Sequence, residues 1–169
     1  MSDTAITIIC HRLTLAQVLA LPAELDDRAA FPELNRTLRA ASGRWFIRPD
    51  ASGMEPARRW PNGIDIESPH SPVSLICFPH YCLIDAWMRY HNLIWYDDGS
   101  LLATYRPICR ELARLLGAPA VLHVPFSAVP WDELGALDLD LAGLARYFAA
   151  RGQCALDDFA TLSVRGAGD

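Results

Sequence analysis

Lysine is missing altogether: all fifteen basic residues of the 169-residue chain are arginine. The absence excludes a G-x-x-x-x-G-K-[ST] phosphate loop, whose lysine grips the phosphates. It also excludes Schiff-base and pyridoxal-phosphate chemistry, which need a lysine amine. Neither Ala5–Cys10 nor the strand-like run at 120–124 is followed by a G-x-G-x-x-G turn, and H-E-x-x-H, calcium-loop and G-x-S-x-G patterns are missing too. No cofactor and no resident metal are therefore expected.

Long apolar runs are scarce as well. Although 51% of the residues are hydrophobic, the longest runs fall far short of the roughly 20 residues of a membrane-spanning helix. The N-terminus carries no cationic region, and its apolar stretch Ala5–Cys10 is too short for a signal peptide. The five cysteines are odd in number and widely scattered. That pattern suits free thiols in a reducing cytoplasm, the expected location. A net charge of -5 argues against nucleic-acid binding, which rests on many cationic phosphate contacts. The arginine-only, alanine-rich composition hints at a GC-rich bacterial genome.

Charge is unevenly spread. Seven arginines against three acids between Arg28 and Arg59 give +4, whereas ten acids against six arginines from Asp97 onward give -4. A cationic segment inside an acidic chain can meet a phosphate or an acidic partner.

Length and hydrophobicity suffice for one self-supporting domain over residues 1–169, with about 70% of the unfolded surface buried. The isoleucine-rich Ala5–Cys10 reads as a buried strand. Thr14 and Gln17 form a capping box for a helix that places Leu15, Val18 and Leu19 inward and should stop near Pro22. A second helix is expected from about Pro32 to Ser42, then a strand at Trp45–Ile47. Six prolines between residues 49 and 79 rule out a long helix and mark an excursion packed within the domain, containing strands Ile64–Glu67 and Val73–Phe78. His80–His91 reads as a helix and Leu93–Tyr96 as a strand. A secure helix begins near Thr104, with 101–103 open to either state. Asp140 should cap a last helix, and a strand or apolar tail follows between Cys154 and Val164. The sum is an α/β or α+β domain, with a mixed sheet of about five or six strands packed by about four helices.

The densest chemical cluster is Cys77-Phe-Pro-His80-Tyr-Cys82. Its donors suit zinc, but the second ligand pair usual for that ion is missing, so buried cysteines at a strand end are the expected reading. His80, Asp85 and His91 are the residues that could serve an acid–base or nucleophilic site. Trp60 beside Arg58 and Arg59, and Tyr96 beside Asp97 and Asp98, combine the aromatic and charged types that dominate interface hot spots. Trp60 is expected to be the most exposed aromatic.

Two functions remain. The first is a cytoplasmic protein-binding module of the inhibitor or immunity type, neutralising a basic partner such as a toxin. It would act through Arg58, Arg59, Trp60, Tyr96, Asp97 and Asp98, with no nucleic acid and no membrane involved. The alternative is a small enzyme using a His/Asp or Cys/His site around His80, Asp85 and His91 on an anionic substrate.

Overall fold

Apolar residues at every position from Ala5 to Ile9 except Thr7 suit a strand covered on both faces. In the computed structural model, which describes residues 3–27, 44–69, 71, 73–94 and 99–168, this segment is the strand β1 (Thr4–Cys10). The chain continues through α1 (Leu15–Leu25), β2 (Phe46–Ile47), α2 (Pro56–Arg59) with a 3-10 turn (Trp60–Asn62), β3 (Ile64–Glu67) and β4 (Val73–Cys77). Then come β5 (Tyr81–Arg89), α3 (Tyr90–Ile94), α4 (Gly99–Leu115), β6 (Val121–Pro125), α5 (Leu141–Ala149), β7 (Cys154–Asp157) and β8 (Leu162–Arg165). The eight strands form one sheet in the order β2-β3-β4-β5-β1-β6-β7-β8, and each described pairing is antiparallel.

Side chains alternate across the sheet and build two cores. On one face Ala5, Ile9, Cys82 and Ile84 pack against Val18, Leu21 and Leu25 of α1 and against Tyr105, Ile108, Cys109 and Leu112 of α4. On the other, Ile6, Ile8, Leu83, Leu122 and Val124 pack against Leu144, Ala145 and Phe148 of α5 and against Val129 and Leu134. Ile6, Ile8 and Ile9 are fully buried, and each such side chain contributes about 1.5–3 kcal/mol relative to exposure.

The single-domain α/β architecture agrees with the sequence reading. The sheet, however, has eight strands with antiparallel pairings rather than a mixed five or six, because hairpins rather than crossovers join most neighbours. Several elements differ too. His80–His91 is not a helix: Tyr81–Arg89 is the strand β5, because Tyr81 and Leu83 bury on one core while Cys82 and Ile84 bury on the other. The helical stripe was a coincidence of spacing. Residues 90–94 are the short helix α3 rather than the start of a strand, and α4 begins at Gly99, settling 101–103 as helical. Helix α1 runs through Pro22 to Leu25, since Val18, Leu21 and Leu25 continue one buried stripe, while Leu19 faces solvent. The C-terminal apolar stretch makes two strands. The helix expected over 32–42 lies outside the described residues.

Both expected caps form. Thr14 Oγ1 accepts from Gln17 N–H at 3.3 Å while Gln17 Oε1 accepts from Thr14 N–H at 2.8 Å. Asp140 Oδ1 accepts from Gly143 N–H at 2.7 Å. The proline-rich excursion is tied down by a close approach at Gly135, where a Cβ would lie 1.7 Å from the Pro61 carbonyl oxygen.

Candidate functional site

Strand β1 leaves the sheet at Cys10, and the next three residues line an open groove of about 370 Å³. Cys10, His11, Arg12 and Leu13 form one wall, Gln17 of α1 another, and Leu116, Gly117, Asp140 and Leu141 the rest. The volume lies in the range of small-molecule sites. His11 is nearly buried, and both ring nitrogens are used internally. Nδ1 accepts from Leu13 N–H at 3.1 Å, so Nε2–H donates to the Phe78 carbonyl at 2.9 Å. Burial lowers its pKa and favours this neutral form. The Cys10 thiol is pushed up to about 11 by burial, which leaves it protonated and a poor nucleophile at neutral pH.

Arg12 is the groove's free-reaching cation. Its Nη1 lies 3.2 Å from Asp138 Oδ1 and 3.3 Å from His80 Nδ1. His80 Nδ1 stands 3.9 Å from the same carboxylate oxygen. The Arg12 and Asp138 side chains are 65% and 63% exposed, so a ligand can compete for them; such surface pairs contribute little on their own.

A second polar constellation lies beneath α4. The register sets Thr7 of β1 opposite His123 of β6, and His123 opposite Ala155 of β7, with Asp157 two residues further along the same face. Thr7 Oγ1 is 2.7 Å from His123 Nδ1 and 2.6 Å from Tyr105 Oη, and His123 Nε2 is 3.2 Å from Asp157 Oδ2. With Nε2–H donating to the carboxylate, Nδ1 accepts from Thr7, and Thr7 accepts from Tyr105. Arg106 closes the chain bidentately on Asp157 at 2.9 and 2.7 Å, and Phe159 N–H donates to Asp157 Oδ1 at 2.8 Å. Burial alone would raise the Asp157 pKa. The hydrogen bonds from His123 and Arg106 overcome it and hold the carboxyl well below the usual range.

This hydroxyl–imidazole–carboxylate order resembles the orientation of a catalytic triad. Thr7, His123, Asp157 and Tyr105 are all completely buried, however, and the groove lining includes none of them. In this conformation the unit joins β1, β6, β7 and α4 rather than meeting a substrate.

Among the residues singled out by sequence, His80 sits in the β4–β5 turn, Asp85 midway along β5 and His91 in α3 beyond its end. At roughly 3.4 Å per strand residue they are not one site. Asp85 is half-buried, and burial raises its pKa. Arg58 is exposed. Arg59 is buried, its Nη1 donating to the Arg48 carbonyl at 2.7 Å and its Nη2 lying 3.8 Å from Asp65. Trp60 is half-buried against the core, its ring 6.2 Å from that of His11, contrary to the expected exposure. Tyr96, Asp97 and Asp98 lie outside the described residues. Among the described residues no group of three or more His, Cys, Asp and Glu side chains is placed to hold a metal. Cys77 and Cys82 instead point into the core.

Sequence reasoning missed Arg12, Asp138 and the buried unit. The signal for the latter was present: Thr7 and His123 are the polar residues inside two otherwise apolar strands. Nothing comparable marked Arg12 or Asp138, which are joined only by folding. Compared with family models, curated proteins and solved structures, the chain matches none.

Proposed function

We propose that the chain is a small acid–base enzyme acting on an anionic small molecule, with His80 as its proton-transfer group. Asp138 replaces Asp85 as the acid that orients the imidazole, and Arg12 anchors the anion. The observation that carries this reading is the convergence of Arg12, His80 and Asp138 within 3.9 Å of one another, with Arg12 itself lining an open groove.

The chemistry follows from competition for one nitrogen. With Arg12 donating to Nδ1, the neutral imidazole keeps its proton on Nε2 and has no lone pair there. An anion that draws Arg12 away frees Nδ1 to carry the proton toward Asp138. Nε2 then becomes the base. Substrate binding and activation of the base are thereby coupled. His11 and Cys10 shape the groove without taking part in proton transfer. The test is turnover of a panel of anionic phosphate and carboxylate esters by the wild type, His80→Ala and Arg12→Ala. His80→Ala should lose about 10²–10⁴-fold in kcat, and Arg12→Ala should mainly raise KM. No turnover across the panel, or turnover untouched by His80→Ala, contradicts the reading.

A specific observation favours a second reading, a module that binds a basic protein. Phe46 pairs with Glu67 and Ser74 with Asp85 on one sheet face, and all four are at least partly exposed. Asp85 has no hydrogen bond or ion pair among the described residues. A carboxylate half-removed from water and without a cation among the described residues suits a partner's arginine or lysine. A basic protein captured by the wild type and released by Asp85→Ala supports this reading; equal capture by both proteins contradicts it.

A further inference from the structure

We infer that Cys77 and Cys82 form an oxidisable pair, closing to a cross-strand disulfide at the end of the β4–β5 hairpin without backbone rearrangement. The two residues are direct partners in the register, and their sulfurs lie 2.9 Å apart with both thiols reduced. Phe78 N–H donates to the Tyr81 carbonyl at 2.7 Å, which makes 78/81 a hydrogen-bonded position. Alternation then makes 77/82 a non-hydrogen-bonded pair, where Cα atoms approach to about 4.5 Å and side chains are closest. That spacing falls within the range a disulfide spans. Other pairings are disfavoured: Cys10, Cys109 and Cys154 stand on β1, α4 and β7, and none of them shares a register position with another cysteine.

The co-reactant is a peroxide. One thiolate attacks a peroxide oxygen, the O–O bond breaks, and the departing hydroxide takes a proton to leave as water. The resulting sulfenic acid is attacked by the second sulfur, and its hydroxyl leaves as a second water. Two thiols and one peroxide become one disulfide and two waters, two electrons passing from sulfur to oxygen. Both sulfurs are fully buried, and the hydrogen bond that the Cys82 thiol donates to Cys77, together with burial, raises the Cys82 pKa. Reaction is therefore slow in the closed fold and faster when the hairpin end opens. The turn between the two cysteines carries His80, and the Phe78 carbonyl within it holds His11. Oxidation would fasten both.

The test treats the full chain with hydrogen peroxide, folded or refolding, then denatures it and counts free thiols by N-ethylmaleimide labelling and mass spectrometry. Two of the five thiols should be lost, with the bond mapped to a single peptide containing both cysteines. Cys77→Ala should abolish the loss, and Cys109→Ala should leave it intact. The oxidised wild type should melt roughly 5 °C higher, reversibly with dithiothreitol. Five free thiols under both conditions, a bond between other cysteines, or a lowered melting temperature would each overturn the inference.

Discussion

Replacing Asp157 by alanine removes the carboxylate through which β7 holds α4 and β6. Its two oxygens meet Arg106 at 2.9 and 2.7 Å, His123 at 3.2 Å and the Phe159 amide at 2.8 Å, and its side chain is 0% exposed. The substitution leaves a buried imidazole N–H unpartnered and an arginine, 26% exposed, without its bidentate partner. Breaking a buried ion pair on one side costs about 3–5 kcal/mol. The exposed fraction of Arg106 recovers part of its hydration, so the lower half of that range applies, near 3 kcal/mol. At about 2–4 °C per kcal/mol for a chain of this size, the melting temperature should fall by roughly 10 °C. Urea titration supplies the direct reading: the midpoint should drop while the slope stays constant. A double-mutant cycle with Arg106→Ala should show the two losses to be less than additive, since each removes the same pair. A loss below about 1 kcal/mol, or strict additivity, would refute the idea that this unit fastens α4 to β7.

Three further outcomes follow from the same geometry. Stability should fall in acid: the folded pKa of Asp157 is depressed, so its contribution is complete above the unfolded carboxyl value near 4 and fades as pH drops toward the folded one. Urea midpoints measured from pH 6 downward should therefore decline less steeply in Asp157→Asn than in the wild type. Gly135→Ala should cost roughly 1–3 kcal/mol by thermal melting, because its Cβ would collide with the Pro61 carbonyl and something must shift. Asp140→Ala should cost about 1 kcal/mol through loss of the α5 cap, while Asp140→Ser should largely preserve stability.

Local rules carried the sequence reading a long way. The caps at Thr14 and Asp140, the buried strand β1 and the strands around Ile64 and Val73 all rest on neighbours within a few residues, and they stand as expected. The failures have a common origin. Residues 80–91 satisfy a helical stripe, yet two cores on opposite faces demanded alternation, and tertiary burial won. Pro22 suggested a helix boundary, but the buried stripe it interrupts outweighs one missing hydrogen bond. The candidate site was legible in part. His80 was recognised, but its partners were not, because Arg12 and Asp138 are separated by 126 residues and are brought together only by the fold. Likewise the Thr7–His123–Asp157 line depends on the order β1-β6-β7, which no local pattern encodes.

The proposed anion site is tested most directly by following the His80 ring signals by NMR while inorganic phosphate is titrated into the wild type and Arg12→Ala. A saturable shift at both His80 nitrogens is expected as the proton moves from Nε2 to Nδ1, with its loss in Arg12→Ala. A His80 ring that does not respond to phosphate, or that responds equally without Arg12, would contradict it.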